Sequence, residues 1–292
     1  MTQGSPVAMV GLGLLGSAIA GRLIGAGFRV HGFDPNPEAV AKLQSLGGLP
    51  AESVASAVDS AATLLLSLPN STVVQAVVNE ILETGRRDLW IVDTSTGSPE
   101  VTAALAESLA ASGIRYLDLT IAGSSRELSA GDVVAMLGGD AEDLSVLQPV
   151  LASFARKSFA LGKAGDAARM KLVTNLALGL HRAVLAEAFS FAESQGFPPS
   201  LALEVLKETS SYSRVMDIKG EKMVRREFSP DARLRQHLKD VLLMKEEAAR
   251  AGIDIPLTNL HAQLLSRAVE LGLGDMDNSA ILEVFHPRKD QH

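Results

Sequence analysis

The chain has 292 residues, of which 47% are hydrophobic and 21% charged, so it can form a globular core and is neither disordered nor fibrous. Its formal net charge of -7 argues against nucleic-acid and anionic-membrane partners and favours a small-molecule partner. The sequence has no cysteine, which excludes disulfides and thiolate metal sites and makes the cytoplasm the expected location.

The first half of the chain alternates β-branched runs with helical segments, as a parallel sheet with crossover helices does. The predicted strands lie near Val7–Val10, Arg29–Phe33, Thr63–Ser67, Trp90–Val92, Arg115–Leu117, Val133–Leu137 and Ser158–Leu161. Helix-start signals between them are Pro37, Asn70-Ser71, Ser98-Pro99 and Asp140. The sequence therefore predicts an α/β domain over residues 1–162.

After Gly162 the strand pattern stops, and one long helix is predicted from about Asp166 to Ser194. Apolar residues cover most of its circumference, so we expect it to be buried, in a second domain or between subunits. Polar residues interrupt it, and we do not expect it to span a membrane. The remaining pattern is helical, which predicts an all-α domain over residues 163–292. We expect a homodimer or homotetramer, in which a second copy buries part of the surface of this domain.

A glycine-rich segment follows the first predicted strand directly. It reads Gly11-Leu12-Gly13-Leu14-Leu15-Gly16 and leads into a helical pattern, a second strand and an acidic residue. Gly11 permits a tight turn, Gly13 lets a pyrophosphate approach the backbone, and Gly16 lets the helix pack closely on the strand. The N–H groups at the helix N-terminus can bind the anion. These features predict a Rossmann-type, doubly wound sheet with a dinucleotide site at residues 11–16.

Asp34, at the end of the second predicted strand, bears on the choice of cofactor. Its carboxylate can accept hydrogen bonds from the adenosine ribose hydroxyls and would repel a 2′-phosphate, so NAD is favoured over NADP. Two alternatives stay open. Asp34 could simply begin the turn that follows it, and Arg29 and His31 lie near enough in sequence to recognise a phosphate.

Lys171 and Asn175 are the candidate catalytic pair. They lie four residues apart in the predicted long helix and therefore share one face. Lys171 has apolar neighbours in a segment that we expect to be buried. Burial lowers the pKa of an ammonium group, and this lowering would let a lysine exchange a proton with a substrate oxygen near neutral pH.

Further blocks occur in a characteristic order. They are Leu68-Pro69, Asp93 to Pro99, Asp118 to Ser124, Gly162 to Lys171 and Lys239-Asp240. In these blocks and in the glycine-rich segment, the chain resembles the β-hydroxyacid dehydrogenase family, which includes 3-hydroxyisobutyrate dehydrogenase and tartronate semialdehyde reductase. The resemblance extends over nearly the whole chain.

The resemblance implies where the two ligands bind and how they react. It adds Leu68, Pro69, Thr96 and Lys239 to the cofactor site. It implies a substrate site at Ala122, Gly123 and Ser124, together with Lys171 and Asn175, at the junction of the domains. It also implies hydride transfer between nicotinamide and a short, anionic β-hydroxyacid or its semialdehyde, with Lys171 as general acid and base. We predict no metal, because the six histidines show no ligand spacing.

The substrate block departs from the family's usual D-A-P-V-S-G-G, because Ala122 replaces a serine and Ser124 a glycine. The guanidinium of Arg126 could form a bidentate hydrogen bond with a carboxylate, sulfonate or phosphate. Alternatively, Arg126 could begin a helix that faces solvent. One alternative function is an NADPH-dependent reductase of a related aldehyde or imine, although imine reductases generally lack a lysine at the position of Lys171. Another is a non-catalytic NAD(H)-binding sensor, which would need the glycine-rich segment but not Lys171.

Overall fold

A computed structural model describes residues 4–95, 97–123 and 125–285. The chain divides into two compact units, Met1–Lys171 and Leu172–His292. The division falls inside the long helix, whose first turns therefore belong to the first unit. The domain boundary expected from the sequence, at residue 162, lies earlier in the chain.

Strands and helices alternate through the first unit. Its strands are β1 (Pro6–Val10), β2 (Arg29–Phe33), β3 (Leu49–Pro50), β4 (Thr63–Leu66), β5 (Leu89–Asp93), β6 (Ile114–Ala122), β7 (Val133–Gly138) and β8 (Ala155–Ala160). Its helices are α1 (Leu14–Gly25), α2 (Pro37–Ser45), α3 (Val54–Ser60), α4 (Ser71–Glu83), α5 (Pro99–Ala110), α6 (Ser125–Ala130), α7 (Ala141–Leu151) and the start of α8 (Asp166–Ser194).

The strands form one sheet in the order β3-β2-β1-β4-β5-β6-β7-β8. Neighbouring residues of β1 face opposite sides of the sheet: Val7 and Met9 belong to one apolar cluster, and Ala8 and Val10 to another. The sheet is therefore covered on both faces, as the doubly wound α/β prediction requires. The carboxyl ends of β1, β4 and β5 lie at one edge, where ligands of such sheets bind.

The β6–β7 pair departs from the parallel pattern that the sequence indicated, because these two strands are antiparallel. Their connection holds only the six-residue helix α6, whereas a parallel crossover needs about a dozen residues or more. The same pairing extends β6 beyond the predicted Arg115–Leu117. Residues 118–122, which the resemblance placed in a substrate loop, are therefore strand. The two-residue strand β3 was not predicted.

The second unit is all-helical, as predicted. After the remainder of α8 it contains α9 (Pro199–Glu208), α10 (Val215–Arg225), α11 (Leu234–Ala251), α12 (Pro256–Glu270) and the 3₁₀ helix Asn278–Val284. Phe189 of α8, Val241 of α11 and Leu265 of α12 are fully buried in its single apolar cluster. These contacts hold the helices together around α8.

Helix α8 has the predicted bounds, and a single chain leaves part of its apolar surface exposed. Val173, Val184 and Phe191 are 60%, 64% and 67% exposed in the single chain. Among the described helices, α8 alone is long and apolar enough to cross a membrane, by length and composition only. The core helix of a soluble protein passes the same test, so the expectation that α8 does not span a membrane stays a prediction.

Candidate active site

At two positions of the loop after β1, another backbone segment lies so close that only glycine fits. Gly11 has a φ of +93°, and a Cβ there would lie 2.3 Å from the carbonyl oxygen of Ser67. A Cβ on Gly16 would lie 2.1 Å from the carbonyl oxygen of Gly11. Gly11 therefore allows β1 and β4 to approach each other at their ends, and Gly16 brings α1 against the loop.

Gly13 has a different task, because its Cβ position is open. A Cβ there would have no atom within 4 Å among the described residues. Gly13 is also the N-cap of α1 and makes no side-chain cap hydrogen bond, and Leu14 is 83% exposed. The first N–H groups of α1 therefore lie open at the sheet edge, where a pyrophosphate fits.

This geometry makes Gly13→Ala a test of the cofactor site. Alanine tolerates the backbone angles of residue 13, a φ of -63° and a ψ of -163°. We therefore expect an unchanged melting temperature and an NADH affinity at least about tenfold weaker, measured by fluorescence titration. Gly16→Ala should instead lower the melting temperature. Unchanged NADH affinity in Gly13→Ala would place the cofactor elsewhere.

Asp34 binds the glycine-rich loop and also begins a turn. One carboxylate oxygen accepts the N–H of Leu12 at 2.7 Å, and the other accepts the N–H of Asn36 at 2.8 Å. The turn-forming role considered for Asp34 is therefore present. Each oxygen keeps a further lone pair, so the carboxylate can still accept ribose hydroxyls.

The ends of β4 and β5 are joined by a buried polar network that the sequence did not predict. The N–H of Leu68 donates to the hydroxyl of Ser95 at 2.8 Å, and the N–H of Ser95 donates to the Asp93 carboxylate at 2.8 Å. The hydroxyl of Tyr116 donates to the other Asp93 oxygen. Burial raises the pKa of Asp93 despite these hydrogen bonds. The network fixes Leu68 next to Gly11.

Three further residues, Pro69, Thr96 and Lys239, were predicted to bind the cofactor. Pro69 is exposed at the end of β4, beside Leu68. Thr96 lies outside the described residues. Lys239 is exposed on α11 in the second unit, and its contact with the cofactor stays a prediction.

Strand β6 holds the first turn of α8. The two oxygens of Asp118 accept the N–H groups of Gly165 and Ala168, each at 2.8 Å. The hydroxyl of Thr120 donates to the carbonyl of Ala167 at 3.1 Å. Asp118 is 3% exposed, and burial raises its pKa. Its carboxylate satisfies N–H groups that a helix N-terminus leaves unpaired.

Lys171 follows directly on this anchored turn. Its Nζ donates a hydrogen bond to the carbonyl oxygen of Ile121, near the end of β6. Lys171 is partly buried, less than its apolar neighbours in the sequence predicted. Of the predicted substrate residues, Ala122 ends β6, Gly123 follows it, and Ser124 lies outside the described residues. The structure thus brings the amine to the predicted substrate segment.

Asn175 lies one turn after Lys171 on α8 and belongs to the second unit. Its side-chain amide donates to the carboxylate of Asp240 at 3.2 Å. Asp240 follows Lys239 on α11, so the predicted Lys-Asp pair includes a residue that orients Asn175. This role of Asp240 was not predicted, because the two residues are distant in sequence.

Arg126 is exposed on α6, at the side of an open cavity of about 580 Å³. Arg22 and Lys42 line the same cavity, and so does Leu14 of the glycine-rich loop. No acidic side chain is among its described lining residues. The cavity thus gathers three cations next to the cofactor loop of an otherwise acidic protein.

An open helix N-terminus on a glycine-rich loop, with an amine held at the same edge of the sheet, defines a dinucleotide-dependent oxidoreductase. Comparisons with known proteins agree with this class. The NAD binding domain of 6-phosphogluconate dehydrogenase matches residues 6–162. The family described as NAD-binding of NADP-dependent 3-hydroxyisobutyrate dehydrogenase matches residues 165–285.

Curated and solved relatives match over almost the whole chain. The 2-(hydroxymethyl)glutarate dehydrogenase of Eubacterium barkeri is 28% identical over 98% of this chain and 96% of its own. The structure of Mycobacterium tuberculosis 3-hydroxyisobutyrate dehydrogenase with L-serine is 26% identical, with a TM-score of 0.88 over 97% of this chain and 100% of that one. A Streptomyces aurantiacus imine reductase, 17% identical with a TM-score of 0.65 over 97% and 100%, shares the fold.

The chain therefore belongs to the β-hydroxyacid dehydrogenase family, as the resemblance implied. It is an NAD(P)-dependent oxidoreductase of the dehydrogenase and reductase class that acts on CH–OH groups.

Proposed function

We propose that the protein interconverts a short β-hydroxyacid and its semialdehyde, with NAD as cofactor and Lys171 as the general acid and base. The observation that carries this proposal is the hydrogen bond from Nζ of Lys171 to the carbonyl of Ile121. It fixes the amine beside Ala122 and Gly123, in the unit that also carries the glycine-rich loop.

A nicotinamide cofactor, when bound, would supply the hydride acceptor for the oxidation and the hydride donor for the reduction. As the carbinol C–H bond breaks, Lys171 in its neutral form takes the hydroxyl proton, so the product is an uncharged carbonyl. In the reduction, the protonated Lys171 returns this proton to the forming alkoxide. An ammonium has three N–H donors, and Lys171 gives one of them to the carbonyl of Ile121.

The acid group of the substrate needs its own recognition. Ala122 has no hydroxyl to offer, so we propose that the segment Ala122, Gly123 and Ser124 binds the anion through backbone N–H groups and the Ser124 hydroxyl, and that Asn175 orients the substrate. Arg126 is a further candidate, because its cavity also includes Leu14 of the cofactor loop. Carboxylate, sulfonate and phosphate groups can all accept two parallel hydrogen bonds from an arginine guanidinium.

The function is tested by initial rates of NADH formation and consumption. The substrates are three- to six-carbon hydroxyacids and semialdehydes, including sulfonates and phosphates, with NADP(H) and cyclic imines in parallel. Turnover of an acid substrate supports the proposal. Exclusive turnover of imines would favour the imine-reductase alternative, and NADH binding without any turnover would favour a sensor.

The choice of NAD is tested with Asp34→Ser. Removing the carboxylate removes the ribose acceptor and the repulsion of a 2′-phosphate, so the ratio of kcat/KM with NAD to that with NADP should fall by at least about tenfold. Because Asp34 also binds the N–H of Leu12, both values can decrease, and the ratio is the measured quantity. Asp59→Ser, on exposed α3 surface, is the control. An unchanged ratio would contradict the assignment of NAD.

We also propose that the protein is a homodimer or homotetramer in the cytoplasm. The exposed apolar residues of α8 support this assembly, because Val184 and Phe191 would be covered by a second copy. Light scattering should give at least twice the chain mass of 30.7 kDa. A monomeric mass would contradict the assembly.

A further inference from the structure

Three nitrogen-bearing side chains meet in the core of the second unit. Arg182 of α8, His237 of α11 and His261 of α12 are 2%, 7% and 2% exposed. The two imidazole centroids are 5.2 Å apart. A Cβ on Gly179 would lie 2.4 Å from Nε2 of His237 and 2.7 Å from Cε1 of His261, so this glycine admits both rings against α8, one turn before Arg182.

Four buried nitrogen atoms of this cluster lack hydrogen-bond partners within the described part of the chain. The atoms are Nε and Nη2 of Arg182 and Nε2 of each histidine. Enclosing a charged guanidinium without partners is strongly unfavourable. Buried polar groups are almost always satisfied, by protein atoms or by a bound water or ion. Because no described residue satisfies these atoms, a bound water or ion is the partner that fits them.

Charge indicates which occupant this is. Asp277 is the carboxylate whose charge acts on Arg182, but it is 0% exposed and already engaged. Its oxygens accept hydrogen bonds from Lys219, Asp231, Ala232 and Ser279. The Lys219 ammonium lies 2.8 Å from Asp277 and is itself buried. Lys219 and Lys222 also pair with Asp231, at 3.1 Å and 2.7 Å. Together with Arg182 they make three cations against two carboxylates, Asp231 and Asp277, which leaves one positive charge uncompensated.

We propose that Arg182, His237 and His261 form a buried binding site for one small inorganic anion of the halide class, such as chloride. The guanidinium and imidazole N–H groups are its donors. Water could satisfy these donors but would not compensate the charge. Arg182 is 2% exposed, so a small anion suits this enclosed position better than a large one. The bound anion would join α8, α11 and α12 and stabilise the helical unit.

The histidines make binding of the anion depend on pH. Burial, and then the charge of Arg182, lowers the pKa of His261 to about 4 and that of His237 well below its usual value. The charge of His261 acts on His237 in the same direction. Both rings are therefore neutral near pH 7. Unfolded histidines take up protons near pH ~6.5, so the folded state loses stability as the pH falls from there towards about 4. An adjacent anion favours the protonated rings, so its affinity should rise as the pH falls.

Thermal unfolding of the full-length protein gives the first test. Sodium chloride is compared with sodium gluconate, whose anion is too large for the site, at equal ionic strength. We expect a melting temperature at least roughly 3 °C higher in chloride at pH 5.5, and a smaller difference at pH 7.5. Arg182→Met should abolish the difference. Arg250→Met, at an arginine whose side chain is 58% exposed, should retain it.

Crystals of the wild-type protein grown in sodium bromide give the deciding test, because they do not depend on a variant that folds. An anomalous bromine peak in contact with the Arg182 guanidinium supports the proposal. Absence of this peak overturns it, whatever the melting temperatures, and means that water alone fills the cluster. A chloride effect that persists in Arg182→Met also overturns it, because the effect then arises elsewhere.

Discussion

Replacement of Lys171 by alanine should lower kcat by roughly 10²–10⁴-fold, the usual contribution of a general acid and base, while NADH binds with unchanged affinity. The loss follows because hydride departure then leaves the hydroxyl proton without an acceptor. The cofactor loop should be unaffected, since Lys171 lies outside it and donates to the carbonyl of Ile121. Steady-state rates and fluorescence titration of NADH measure the two quantities separately.

Lys163→Ala is the matched control for this variant. Lys163 is exposed, lies just before α8, and contributes its backbone N–H rather than its side chain to the hydrogen bond with Asp166. We expect its kcat to stay at the wild-type value. Added ethylamine should restore part of the rate of Lys171→Ala by supplying the missing amine. A Lys171→Ala protein with more than about a tenth of the wild-type kcat would contradict the assigned role.

Local sequence patterns were sufficient to predict the elements whose structure depends on residues close together in the chain. The glycine-rich segment, β2 and the bounds of α8 were predicted closely, because turn glycines and apolar periodicity act over a few residues. The antiparallel β6–β7 pair was not, because strand direction depends on the length of a connection whose short helix carries little signal. The contacts of Asp118 join residues 47 and 50 positions apart, a separation that no local pattern records.

Burial shows a second limit of the sequence. The apolar composition of α8 indicated that its surface must be buried. Composition does not show whether residues of the same chain or of a second chain bury it. Val184 and Phe191 remain exposed in one chain, while Leu185 and Phe189 of the same helix are enclosed. The expectation for Lys171 failed in part for the same reason. Its apolar neighbours include Val173, which is 60% exposed, so they do not enclose the amine.

The second large effect is expected for Asp118→Asn, because Asp118 positions the helix that carries Lys171. Asparagine offers one acceptor oxygen where Asp118 offers two, so its amide nitrogen must face the N–H of Gly165 or Ala168. An unsatisfied buried N–H should lower the free energy of unfolding by about 2 kcal/mol. The loosened first turn should also lower kcat by roughly tenfold, since an error of about 1 Å at a reacting group can cost more than this.

Asp143→Asn separates this positioning role from simple destabilisation. Asp143 is 2% exposed, completes the capping box of α7, and pairs with Arg115 and the N–H of Asp140, and none of its described hydrogen bonds reaches α8. Both variants should unfold at lower temperature. Only Asp118→Asn should lose kcat when both are assayed well below their melting temperatures, with NADH affinity unchanged in each. Equal loss of kcat in the two variants would reduce Asp118 to a stabilising residue, whereas a selective loss means that β6 sets the position of the catalytic amine.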